Sequence, residues 1–191
     1  MDKIEIGEVN DLEDILKLND IKNGRINIIG SISPFEASDW LSSIYKAVEF
    51  GNKVITIRII SPGGEVYPSF AIYDNLRLIS KKGIKIEAIV EGFAASAAAA
   101  IVLQAADVRK CLPSSRFLLH EVSRWAFGSE KASDLKDEAK EIEILTNMII
   151  NILSERSGKS VSDVKNLVER KEIWFSAQEA LDWGLIDEII R

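Results

Sequence analysis

The sequence predicts an α/β fold built on a mostly parallel sheet, and three observations carry that prediction. Short runs rich in β-branched residues, RINIIG at 25–30, VITIRII at 54–60 and IKIEAIV at 84–90, stand out as strands. Longer segments with apolar residues at helical spacing separate them, which implies right-handed crossovers and parallel neighbours. The chain has 191 residues, 47% of them apolar, with no linker, repeat or low-complexity tract, so a single substantial core is expected.

Each element has its own signal. After the strand at 25–30, Ser33-Pro34-Phe35-Glu36 reads as a helix start, with Ser as N-cap, Pro at the first helical position and Glu closing a capping box. Ala37, Trp40, Leu41, Ile44, Tyr45 and Val48 continue that helix, which Gly51 can end. A helix over about 69–82 follows the second strand, and an alanine-rich helix, FAASAAAAIVLQAAD, follows the third. Short strands are expected near 108–112 and 117–119. A long helix over 129–156 carries Leu135, Ala139, Ile142, Leu145, Ile149 and Ile152 in one stripe, suited to the domain's own core or to a partner. A short helix at 160–169, a strand around Trp174-Phe175, a second capping box at Ser176–Glu179 and a closing strand at 185–187 complete the pattern. The first 24 residues are weakly patterned and read as an N-terminal arm, with a short helix possible over 11–18.

Composition narrows the function. The net charge is −6, with no dense basic run, which disfavours nucleic acid and anionic membranes as partners. Cys111 is the single cysteine, so no internal disulfide can form and a reducing cytoplasm is the simplest home. No signal peptide or membrane anchor is read. With one histidine, His120, a metal site is not expected, and no cofactor motif is found.

Three groups fall at the carboxyl ends of predicted strands, where parallel sheets place their ligands. They are Ser61-Pro62-Gly63-Gly64, Ser96 after Glu91-Gly92, and His120. Together they supply the parts of acyl transfer: a hydroxyl nucleophile, a base with a suitable pKa, and bare glycine amides for an oxyanion. Ser96 at a helix N-terminus would add the positive end of the dipole. Taken singly, each is an ordinary feature: a turn, a serine among alanines, a histidine after an apolar strand.

The ordered set Ser61-Pro62-Gly63-Gly64, Ala71-Ile72-Tyr73-Asp74, Gly92-Phe93-Ala94-Ala95-Ser96-Ala97, Phe117-Leu118-Leu119-His120, Phe175-Ser176-Ala177-Gln178-Glu179-Ala180 and Gly184-Leu185-Ile186-Asp187 resembles the proteolytic subunit family of Clp proteases. Ala97 and the Trp174 segment are closer to the prophage and head-maturation type. The resemblance covers nearly all of 25–191 and implies a crotonase-like superfold with a projecting handle helix near 129–156. It implies a serine endopeptidase acting on peptides or unfolded proteins, with Ser96 as nucleophile, His120 as base, and the amides of Gly64 and Ala97 as oxyanion hole. Gly63, Glu65 and Val66 would bind substrate as an added strand. It further implies a homo-oligomer of heptameric rings, stacked in pairs around a chamber and fed by an ATP-dependent unfoldase.

The sequence departs from that family at the acid of the triad. The expected position falls near Leu167-Val168, where there is no Asp; Glu169 lies one residue away and is the candidate, while Glu172 matches a family acid outside the triad. Ile60 replaces a usual Asn and Ser69 a common Gly, and the arm lacks the family's apolar start. Without an acid the site is a Ser-His dyad or belongs to an impaired, ring-forming subunit. A crotonase-type acyl-CoA enzyme would use the same paired amides, but with a Glu in the crevice and a basic site for the CoA phosphates. A Ser-Lys peptidase would need a catalytic Lys where His120 stands.

Overall fold

The computed structural model describes residues 12–123, 131–169 and 171–191. The first eleven residues of the predicted arm and the predicted start of the long helix lie outside them. The order is α1 (Leu12–Lys22), β1 (Arg25–Ile29), α2 (Pro34–Glu49), β2 (Val54–Ser61), α3 (Val66–Lys81), β3 (Lys85–Ala95), β4 (Val108–Cys111), β5 (Arg116–His120), α4 (Ala132–Ser157), α5 (Val161–Val168), β6 (Glu172–Ser176), α6 (Ala177–Trp183) and β7 (Glu188–Ile189).

The sheet runs β1-β2-β3-β4-β7, all parallel, as the alternation of strands and helices predicts. β3 is longer than expected and takes two neighbours in succession. Its residues 87–90 pair with β4 and its residues 93–95 with β5, which pairs antiparallel with β6. One face of the sheet is the core: Ile55, Ile57 and Ile59 of β2 alternate inward and pack with Trp40 and Ile44 of α2 and Ile72 and Leu76 of α3. The other face is half-exposed and mixed, with Ile29, Ile60 and Ile89 among charged residues. There Arg58 donates to both oxygens of Glu91, at 2.8 and 2.6 Å, which holds that carboxyl below its usual range.

Local chemistry explains most boundaries. Ser33 caps α2 with Pro34 at the first position, but the Glu36 carboxylate takes the Ser33 hydroxyl. Ser176 and Glu179 form the complete reciprocal box, with the Ser176 amide 2.7 Å from the Glu179 carboxylate. α3 starts at Val66, three residues before the sequence signal, because Pro68 fits a first turn that needs no donor there. Ser69, fully buried, donates its hydroxyl to the Glu65 carbonyl at 2.7 Å. Tyr67, in the same turn, donates to Glu141 of α4 at 2.6 Å.

Two expectations are corrected. The closing strand is 188–189, not 185–187, because Leu185 and Ile186 turn into the core after Gly184 and Asp187 is drawn to Arg109. The alanine run is not an α-helix: Ala98–Val102 form a π turn and Leu103–Ala105 a 3-10 turn. All eight residues are buried against the sheet, α3 and α4, so packing overrides the helix propensity of alanine.

Arg109 pins the chain's end to the sheet. Its guanidinium, 5% exposed, donates to both Asp187 oxygens, to Gln104 at 2.7 Å and to the Gly184 carbonyl at 3.0 Å. Burial pushes the Asp187 carboxyl up, but the bonds from Arg109 outweigh it and hold the group below its usual range. A lowered folded pKa gives stability that is present above the unfolded value, near pH ~4, and is lost as pH falls through the folded value. Arg109→Ala should therefore cost about 3 kcal/mol, the lower end for breaking a buried pair because Asp187 keeps 39% exposure, and should flatten the acid limb below pH ~4. Urea unfolding across pH measures both.

Candidate active site

The turn after β2 is built before any catalytic group enters. Ser61 is fully buried; its hydroxyl donates to the Gly30 carbonyl at 2.7 Å and accepts from the Gly63 amide at 3.1 Å. Ile32 grips the glycines from the other side: its amide donates to the Gly63 carbonyl at 2.8 Å and its carbonyl accepts from the Glu65 amide at 2.9 Å. This bridge skips the Gly64 amide, which has no partner among the described residues. Ile32 does not stand out in the sequence as a site residue, and Ser61 does so only as the first residue of the Ser-Pro-Gly-Gly turn.

Gly63 sits at φ +90°, and a side-chain carbon there would lie 2.6 Å from the Ala95 carbonyl and 2.7 Å from Ser96 Cβ. It would also lie 2.9 Å from the Ala97 nitrogen. Gly64 is equally closed, since a Cβ would meet the Ile32 carbonyl oxygen at 2.2 Å. The glycine turn and the Ser96-Ala97 segment are therefore in direct contact. The Ala97 amide, like that of Gly64, has no partner among the described residues.

Ser96 follows the last residue of β3 at φ +54°, the only non-glycine with positive φ among the described residues. An L-residue held there costs about 1 kcal/mol. Its amide donates to the Leu118 carbonyl of β5 at 2.9 Å, and its carbonyl accepts from Ala99 and Ala100. Its hydroxyl makes no hydrogen bond among the described residues. Because a short π turn replaces the expected helix, the local amides, not an extended helix dipole, supply the positive field at this point.

His120 ends β5, the strand hydrogen-bonded beside the end of β3, so it and Ser96 lie at the same ends of adjacent strands. No hydrogen bond joins the two side chains among the described residues. The imidazole Nδ1 lies 2.6 Å from the Glu121 carbonyl oxygen. A carbonyl only accepts, so this contact puts the ring proton on Nδ1 and leaves the lone pair on Nε2.

The acids stand further out. Glu169 caps the C-terminal end of α5, exposed, and lines a cavity of about 210 Å³ with Glu121, Glu143, Thr146 and Val168. A smaller pocket containing His120 adjoins it and shares Glu121, Thr146 and Val168. Glu172 is exposed and directly opposite His120 in the β5–β6 ladder, on the same face. Neither carboxylate bonds to the ring among the described residues. Glu65, exposed, is the extended N-cap of α3, and Val66 is already helical, so the extended segment after the glycines ends at Glu65.

Among the described residues no group of three or more His, Cys, Asp or Glu could hold a metal ion, and no helix is long and apolar enough to cross a membrane. Cys111 is buried, which pushes its thiol up to about 11, far from thiolate chemistry.

Residues 12–191 match the family described as Clp protease. A Bacteroides fragilis protein named "ATP-dependent Clp protease proteolytic subunit" is 37% identical over 139 residues, 72% of this chain. That match spans only 64% of the relative's own length. Subunit 3 of the same name from Rhizobium etli is 33% identical over 90% of this chain and 86% of its own. Subunit 1 from Chlamydia caviae is 28% identical over 96% of this chain and 95% of its own.

The contact at Gly63 can be measured against an open glycine of the same conformation. A Cβ added at Gly83, φ +87°, would have nothing within 4 Å, whereas one at Gly63 would have three atoms under 3.0 Å. Both Gly→Ala substitutions share the backbone strain, so Gly63→Ala should lose about 1–3 kcal/mol more than Gly83→Ala, the cost of overpacking. Urea midpoints of the two variants give the difference.

Proposed function

Because the chain belongs to the Clp protease family, we propose that it is a serine endopeptidase that cleaves peptides or unfolded proteins by an acyl-enzyme route. The contact of Gly63 with Ser96 and Ala97 supports this reading, since it packs the glycine turn against the segment that carries the Ser96 hydroxyl. Ser96 Oγ attacks the scissile carbonyl while His120 Nε2 takes its proton. The amides of Gly64 and Ala97 receive the oxyanion. The protonated ring then gives its proton to the leaving amine, and water, activated by the same nitrogen, releases the acyl group from Ser96. Gly63 to Glu65, with Val66 at the end, pair with the substrate main chain as an added strand, a recognition mode that tolerates many side chains. Glu169 supplies negative charge to the imidazolium from the adjoining cavity.

The same reading gives the chain an assembly. α4 exposes Leu135, Ile144 and Met148, at 50%, 44% and 45%, along a helix that serves as the handle between copies. Seven-membered rings, stacked in pairs, enclose the sites in a cytoplasmic chamber. An ATP-dependent unfoldase delivers substrate there and consumes the ATP itself. In this organisation residues 1–24 are an arm and 25–191 the peptidase domain.

A fluorophosphonate probe should label the wild-type protein at Ser96, and Ser96→Ala should lose both labelling and peptide cleavage while keeping its circular dichroism spectrum. Labelling that persists in Ser96→Ala would place the nucleophile elsewhere. Glu169→Gln should lower kcat/KM about tenfold, the effect of ~1.4 kcal/mol of lost charge stabilisation, with KM unchanged.

A further inference from the structure

Resting on the peptidase reading, we infer that the cavity between α4 and α5 takes a lysine or arginine side chain of the substrate, so that cleavage favours bonds next to a basic residue. Main-chain pairing along the glycine segment is indifferent to side chains, and selectivity in such sites comes from pockets that flank the added strand. The cavity, of about 210 Å³, is lined by Ile142, Glu143, Thr146 and Ile150 on one stripe of α4, and by Lys165, Val168 and Glu169 at the end of α5. It adjoins the smaller pocket that contains His120, and Thr146, Ile150 and Val168 line both. Its volume falls below the ~300 Å³ at which small-molecule sites begin, which suits a single side chain and not a cofactor.

The lining is divided as a long basic side chain is divided. Ile150 and Val168 are buried and Ile142 half-buried, an apolar surface for a methylene stem. Glu143 and Glu169 are exposed, and neither carboxylate has a partner among the described residues. Lys165 is the lining's one cation among the described residues, so one of those two charges stays uncompensated. Glu121, which has an interaction of its own, adds a third carboxylate to the lining. Thr146 stands where the two pockets meet, and its Oγ1 is buried without a hydrogen-bond partner among the described residues. A hydroxyl left so is costly, and a guest that brings N–H donors relieves it. Ammonium and guanidinium groups are donors only, so they match these oxygens in charge and in hydrogen-bond sense. An acidic guest would meet like charge, and a wholly apolar one would cover Glu143 and Thr146 without pairing them.

Cleavage of a peptide library by the full-length protein, read by mass spectrometry, should show Lys and Arg enriched at one fixed position beside the cut. Two peptides that differ only there, lysine against norleucine, isolate the head group because their stems are alike. The lysine peptide should have the higher kcat/KM, by about threefold for each partly exposed carboxylate and so about tenfold for the two together. Glu143→Gln should narrow that ratio to about threefold, and Glu143→Lys should bring it below one. Ser96→Ala, which binds without cutting, should hold a fluorescent lysine peptide more tightly than its norleucine counterpart, as anisotropy reports. Equal values for the two peptides overturn the inference. So does enrichment of apolar residues alone beside the cut, or a ratio that neither Glu143 variant moves. Absence of probe labelling at Ser96 is a separate outcome: it would sink the peptidase reading, and the binding contrast in Ser96→Ala would still decide what the cavity takes.

Discussion

Two strand ends meet at Gly63 with no space for a side-chain carbon between them. The turn after β2 lies against the backbone of Ala95, Ser96 and Ala97, and a Cβ on Gly63 would come within 3.0 Å of three atoms there. Ile32 holds the same turn from the outside by a bridge on either side of Gly64. Everything proposed for the site follows from this closeness. The amide of Gly64 is spared because the bridge skips it, and that of Ala97 because the chain turns sharply at Ser96. Preorganised donors of this kind need no rearrangement when charge develops, which is why fixed backbone is more effective than mobile side chains at the task.

The parallel sheet, its flanking helices and the second capping box are legible in the sequence because each is written in side chains: β-branched runs, helical periodicity, a Ser and a Glu three residues apart. The strand-end positions of Ser96, His120 and the glycine pair are legible for the same reason. What cannot be read is what depends on the environment. The alanine run carries a strong helix preference, yet every residue from Ala98 to Ala105 is buried, and the shape of the surrounding core decides the winding. The signal for the closing strand comes too early because Leu185 and Ile186 are apolar for the sake of the core, not of a strand.

The polar face of the sheet fits this picture. A parallel sheet is ordinarily covered on both sides, yet here one side carries Arg58 with Glu91, Lys85 with Glu87 and Lys110 with both Glu87 and Glu188. Paired charges let part of that surface stay wet, beside the exposed Ile29 and the half-exposed Ile60. The strand ends that carry Ser96 and His120 belong to this same sheet.

The phenol of Tyr67 gives the two halves of the molecule a mechanical link. It joins the first turn of α3, immediately after the glycine segment, to Glu141 in the middle of α4. The hydrogen bond to Glu141 holds the phenol above its usual titration range, so this tie stays donor-to-acceptor well into alkaline solution. A tilt of α4 is then a pull on the residues that border the cleft. The long helix α4 and the loop after the glycines are geared together, so a load on one is felt at the other.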